Sequence, residues 1–158
     1  MHIAIRADAS VGLGSGHVMR CLTLARRLRE RGDEVRFLCR ALPGDLCDFI
    51  AAEGFAVARI KTGPIGQTWR GDAFQSSLAL RAWMGDDALD WLIVDHYALG
   101  ASYESALRSQ VRRIMAIDDL ANRAHDCDLL LDQNFFDDGG QRYRSLVPAE
   151  CTFLLGPS

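Results

Sequence analysis

The stretch IAIRADASVGLGSGHVMR, residues Ile3–Arg20, decides how the chain is read. It opens on an apolar run, Ile3, Ala4 and Ile5, crosses a loop holding Gly12, Gly14 and Gly16, and enters a helical pattern at His17. Glycines between a buried strand and a helix permit backbone angles that other residues resist, and they let a ligand approach the main chain. The helix start adds unpaired N–H groups and the positive end of a dipole, which favour an anion. Here the loop delivers a histidine to that end, and histidine exchanges protons near neutral pH. The pattern predicts a catalytic loop with His17 as its reactive residue. The plainer reading of the same spacing is a tight turn with a satisfied histidine at a helix start.

Outward from this stretch, strand and helix signals alternate. Ile3–Ala7 reads as a strand, and His17 to about Arg31 as a helix whose apolar face is Val18, Cys21, Leu22, Leu24, Ala25 and Leu28. Arg26, Arg27, Arg29, Glu30 and Arg31 fill a solvated face, and Gly32 stops the helix. Strands follow at Val35–Cys39, Phe55–Ile60, Trp91–Val94, Arg113–Ile117, Leu129–Leu131 and Cys151–Leu155. Helices are predicted over Leu42–Glu53, Phe74–Leu89 (interrupted near Gly85), Ala101–Gln110 and Gln141–Leu146. Lys61–Gly71, with Gly63, Pro64, Gly66 and Gly71, reads as a loop. This alternation implies right-handed βαβ units, a mostly parallel sheet and helices on both faces. In such a sheet ligands bind outside the carboxyl ends of the strands. Polar groups collect at those ends: Asp8 through His17, Asp95–Tyr97, Asp118–Asp119 and Asp132–Asn134.

A chain of 158 residues, 49% hydrophobic and 25% charged, is one soluble globular domain by these measures. A net charge of −3 and a pI near 5.8 give no sign of nucleic acid or an anionic membrane as partner. No apolar run reaches the ~18 residues a span requires. Met1 leads straight into a strand pattern, which predicts no signal peptide. Cys21, Cys39, Cys47, Cys127 and Cys151 are odd in number and form no C-x-x-C pair. They read as buried hydrophobes in a reducing, cytoplasmic setting, with neither a disulfide framework nor a zinc site.

The loop Gly12-Leu-Gly14-Ser-Gly16-His17 is not G-x-G-x-x-G, and Arg40 stands where a dinucleotide site places an acidic residue. It is not a P-loop either. His96 is structural or functional on position alone, while Tyr97 carries a hydroxyl able to bond a sugar or a phosphate. His125 reads as a surface residue and His2 as incidental. Asp118 and Asp119 either cap a turn or hold a water or sugar hydroxyl. No ligand spacing supports a metal.

Five pieces of the chain resemble one family: Ile5–Ala25, Val35–Arg40, Leu92–Gly100, Ile117–Asn134 and Phe153–Ser158. The family is that of the UDP-2,4-diacetamido-2,4,6-trideoxy-β-L-altropyranose hydrolases of pseudaminic acid biosynthesis, whose products serve polysaccharide synthesis and flagellin glycosylation. The resemblance implies a Rossmann-like three-layer sandwich, matching the N-terminal half of the two-domain GT-B fold. Residues 1–158 would be one domain, the C-terminal nucleotide-binding domain would be absent from this chain, and this half alone would be inactive. The implied reaction is attack of water on the anomeric carbon with inversion and release of UDP. His17 matches the family's catalytic histidine and would accept the proton of water, kept neutral by the positive helix end. Gly14, Ser15 and Gly16 would border the sugar or pyrophosphate, Tyr97 would position the sugar, and Asp8 and Asp95 would assist in binding. No metal and no cofactor are implied. Two alternatives keep the scaffold: a half-domain of a GT-B glycosyltransferase, or a non-catalytic binding or interaction module.

Overall fold

A computed structural model describes residues 1–61, 68–138 and 140–156. Among these residues seven strands, β1 (His2–Ala7), β2 (Glu34–Arg40), β3 (Ala56–Ile60), β4 (Leu89–Asp95), β5 (Val111–Ile117), β6 (Leu129–Asp132) and β7 (Thr152–Leu155), form one sheet. The order is β3-β2-β1-β4-β5-β6-β7 and every pairing is parallel. Among the described residues the helices are α1 (Gly16–Glu30), α2 (Cys47–Ala52), α3 (Trp69–Met84) and α4 (Ala101–Leu107), with short 3-10 turns at Arg108–Gln110 and Gln141–Tyr143. This is the α/β, Rossmann-like three-layer sandwich that the sequence predicts.

Period-two alternation divides the core between the two faces. On β1, Ile3, Ile5 and Ala7 pack with Val18, Cys21, Leu22 and Ala25 of α1 and with Cys47 and Ile50 of α2. Ala4 joins the opposite cluster with Leu80 of α3 and Tyr103 and Leu107 of α4. Arg6, one residue-pair further along β1, is fully buried. Its guanidinium is taken up by Asp72 of α3 and by Asp8.

Element boundaries depart from the sequence pattern where side chains set the start. Helix α3 begins at Trp69 rather than Phe74, because the Thr68 hydroxyl accepts the Gly71 N–H at 3.3 Å and caps it. The tail of the loop expected over Lys61–Gly71 is therefore helical, and its residues 62–67 lie outside the described residues, as do the last two of Phe153–Ser158. Helix α2 is shorter than expected, because Asp45 accepts the N–H groups of Leu42 and Cys47 and holds residues 42–46 as a turn. The Gln141–Leu146 helix is a single 3-10 turn.

His125 corrects a reading. It is buried rather than on the surface, with Nδ1 at 2.8 Å from Oε1 of Glu104, itself buried in α4. The segment after β5 folds back on α4: the Ala101 N–H donates to the Ala124 carbonyl at 2.8 Å, and Glu104 also accepts the Asp126 N–H. All five cysteines are free and buried.

Candidate active site

The sheet order reverses between β1 and β4. From β1 the chain winds outward to β2 and β3; after α3 it returns beside β1 as β4 and winds the other way. The helices accordingly change face, α1 and α2 lying on one and α3 and α4 on the other. Loops leaving the carboxyl ends of β1 and β4 must part there, and sheets of this kind take ligands in the crevice beside such a switch point. The two segments at this point are residues 8–15 and 96–100.

The first segment is held as a rigid turn. Ser10 accepts the Gly14 N–H on its carbonyl at 2.9 Å and the Leu13 N–H on its hydroxyl at 3.0 Å. Gly14 closes this turn with φ +75°, a left-handed conformation that favours glycine. The turn is pinned to the segment after β2, where the Val11 N–H donates to the Pro43 carbonyl at 3.1 Å. Gly44 makes that approach possible, since a Cβ there would stand 2.7 Å from the Val11 side chain. Gly14, Ser15 and Gly16 are exposed at the start of α1, and the Ser15 side chain makes no capping bond.

His17 sits below them, only 7% exposed. The Tyr97 ring meets its imidazole edge-on, with centroids 4.4 Å apart and planes at 75°. Tyr97 itself is 45% exposed, so the pair joins a sheltered base to an open aromatic surface. Nε2 of His17 lies 3.8 Å from Oδ1 of Asp95, beyond hydrogen-bond reach. Asp95 is instead gripped by Arg20, one turn along α1: Nε to Oδ2 and Nη2 to Oδ1, both 2.5 Å. The Cys21 thiol also donates to Oδ2. Arg20 in turn lies 3.8 Å from Asp119. Burial lowers the His17 pKa, with the attraction of Asp95 opposing and the charge of Arg20 assisting. The imidazole is therefore uncharged at neutral pH. Burial, rather than the helix end, is the main cause.

A second network lies beneath the first. The Asp8 carboxylate is buried and accepts four donors: Arg6 Nη1 at 2.5 Å and the Arg40 N–H at 2.8 Å on Oδ1, then Arg6 Nη2 at 2.9 Å and His96 Nε2 at 3.0 Å on Oδ2. The Ala98 N–H donates to His96 Nδ1 at 3.0 Å, which leaves the ring proton on Nε2, facing Asp8. Burial works against the Asp8 charge, yet the bonds from His96 and Arg6 outweigh it and hold this carboxyl well below the usual range. His96 thus ties the Tyr97 segment to the end of β1.

The structure brings together His17, Tyr97, Gly14, Ser15 and Gly16. Asp8 and Asp95 lie directly behind them, but both are 1% exposed and every oxygen is engaged by protein donors, so they support the crevice rather than face it. Asp118 likewise turns inward, accepting the Ala121 N–H and pairing with Arg123 at 2.8 Å. Asp132 accepts the Tyr143 hydroxyl and the Asn134 N–H. Among the described residues no cluster of histidine, cysteine and carboxylate side chains is arranged to hold a metal ion, and no helix is long and apolar enough to cross a membrane. Arg20 and His96, which hold Asp95 and Asp8 behind this group, are the residues that sequence reasoning undervalued.

The chain is 27% identical over 157 residues to the UDP-2,4-diacetamido-2,4,6-trideoxy-β-L-altropyranose hydrolase of Campylobacter jejuni. The chain is a relative of this hydrolase. The match covers 99% of this chain and 50% of the relative, so the chain spans about half the relative's length. No protein-family model matches. The likeness agrees with the family resemblance stated from the sequence.

Proposed function

We propose that the chain is the sugar-side half of a nucleotide-sugar hydrolase. In this reading water attacks the anomeric carbon of a UDP-linked diacetamido-trideoxy sugar, with inversion and release of UDP, in pseudaminic acid biosynthesis. The observation that carries the reading is an uncharged, sheltered imidazole at the topological switch point, covered by an exposed tyrosine ring and bordered by a glycine turn. Water is a weak nucleophile and needs a base as the new C–O bond forms, and neutral His17 can accept its proton. Exclusion of solvent around the ring keeps it unprotonated at working pH. The exposed start of a 15-residue helix, at Ser15 and Gly16, offers the first N–H groups of that helix to a sugar hydroxyl or a pyrophosphate oxygen, while the Gly14 N–H closes the turn before it. Tyr97 offers an apolar ring face for the sugar and a hydroxyl for one of its substituents. The departing diphosphate requires charge stabilisation, which this reading assigns to a second, nucleotide-binding domain outside the chain. The protein would act in the cytoplasm.

The test is hydrolysis of that UDP-sugar by the product of the whole reading frame, followed by proton NMR of the anomeric signal. The expected result is UDP plus free sugar of inverted configuration. His17→Ala should lower kcat by roughly 10²–10⁴-fold with little change in KM. Normal turnover by that variant, or transfer of the sugar to an acceptor other than water, would overturn the reading.

A further inference from the structure

The contact between a buried histidine and a carboxylate usually orients the ring and strengthens it as a base. Here the carboxylate is present and the bond is missing. Asp95 stands at the carboxyl end of β4, beside His17, yet Arg20 occupies both of its oxygens in a fork-to-fork pair at 2.5 Å. The Cys21 thiol takes a further share of Oδ2. His17 is left 3.8 Å from the nearer oxygen. The spacing follows from α1 itself: His17, Arg20 and Cys21 lie three and four residues apart, on one side of the helix, and all three face the same carboxylate.

We propose that Arg20 is a positioning residue for His17. By holding Asp95 it keeps that carboxylate from capturing the imidazole, so that Nε2 stays unbonded by protein and turned to a water in the crevice. The inference deepens the hydrolase reading and rests on it for the identity of that water's target; the competition among Arg20, Asp95 and His17 rests on geometry alone. The charged and titratable groups around the ring are Asp95 from β4, Arg20 from α1, His96 and Tyr97 from the segment after β4, and Asp119 from the segment after β5. Of these, Asp95 is the nearest anion, and Arg20 is paired both to it and, more loosely, to Asp119. Loss of Arg20 therefore frees two carboxylates at once and removes one opposing cation.

The experiment is an NMR titration of the His17 imidazole in the isotopically labelled 158-residue chain, which needs no turnover. Arg20→Gln should raise the His17 midpoint by about one pH unit or more, a tenfold gain in proton affinity, as expected when an unpaired carboxylate comes within reach. Arg20→Lys keeps the charge and loses the fork, so it should give a smaller rise; it also serves if the glutamine variant does not fold. Asp95→Asn should move the midpoint down, and combined with Arg20→Gln it should cancel the rise. An unchanged or lowered midpoint in both Arg20 variants, or a rise on Asp95→Asn, overturns the proposal. If the midpoints move as stated while the wild-type reading-frame product hydrolyses no UDP-sugar, the placement of Arg20 stands and the hydrolase reading falls. If both hold, Arg20→Gln should shift the acid limb of the kcat profile upward by the same interval as the midpoint.

Discussion

Replacing Asp8 by asparagine separates a structural role from a substrate-binding one. The carboxylate receives four donors, two from Arg6, one from the Arg40 main chain and one from His96. An amide can present an acceptor to only one pair of them; its NH2 group then faces the other pair, donor against donor. Arg6 is fully buried, so it loses one of two counter-charges with no water to replace it. Breaking a buried pair in this way costs about 3–5 kcal/mol. Against the roughly 5–15 kcal/mol that holds a domain, that is a large fraction. For a chain of this length it corresponds to a fall in Tm of about 6–20 °C. The assay is urea and thermal unfolding followed by tryptophan fluorescence, with Arg6→Met and the double variant completing a cycle. The double variant removes both charges and should recover part of the loss, giving a coupling of at least about 1 kcal/mol. A stability change for Asp8→Asn within 1 kcal/mol of the parent, as an exposed ligand-binding carboxylate would give, refutes the argument.

Gly44→Ala should destabilise the chain by about 1–2 kcal/mol or more, because the residue combines a positive φ with a Cβ position 2.7 Å from Val11. Hydrogen exchange should then quicken at the Val11, Leu13 and Gly14 amides before it does so in the strands; uniform exchange would show that the turn is not pinned there. Stability should also form a dome in pH. His17 has a lowered pKa in the fold, so the unfolded chain takes the proton first, and stability falls as pH drops below about 6.5. The lowered Asp8 carboxyl acts in the same sense: its contribution is complete above about pH 4 and drains away in stronger acid. Burial raises the thiols of Cys21 and Cys127, whose contribution is present below about pH 8.5 and lost as pH rises further, and the phenol of Tyr103, whose contribution is lost only above about pH 10. Urea midpoints measured from pH 4 to 10 should peak near neutrality, and a peak near pH 5 would contradict the assignment.

The layers of this fold were legible because apolar spacing reports them directly. WLIV at Trp91–Val94 could only be a strand covered on both faces, and Val18, Cys21, Leu22 and Ala25 could only be the buried side of a helix. The gathering of polar residues was legible too, since four segments that follow parallel strands must meet at one end of the sheet. What spacing cannot report is which polar residue at that end faces outward. Asp8 and Asp95 have the right position to meet a ligand and instead spend every oxygen on Arg6, Arg20, Arg40, Cys21 and His96. Those partners lie up to 88 residues away, and pattern within a window of 18 carries no trace of them. Arg6 in the middle of a buried strand was the one local warning, because a guanidinium there demands carboxylates nearby. His125 fails for the same reason: an Ala-His-Asp segment resembles a surface turn until Glu104 is placed beside it. Loops that diverge at a switch point have little sheet to rest on. They need charged anchors, so the carboxylates that mark a binding rim in sequence are the ones its architecture consumes. The residues left with a free face are then His17, held just short of Asp95, Tyr97 against it, and the main chain of Ser15 and Gly16 above, which are the ones the proposed hydrolase reading employs.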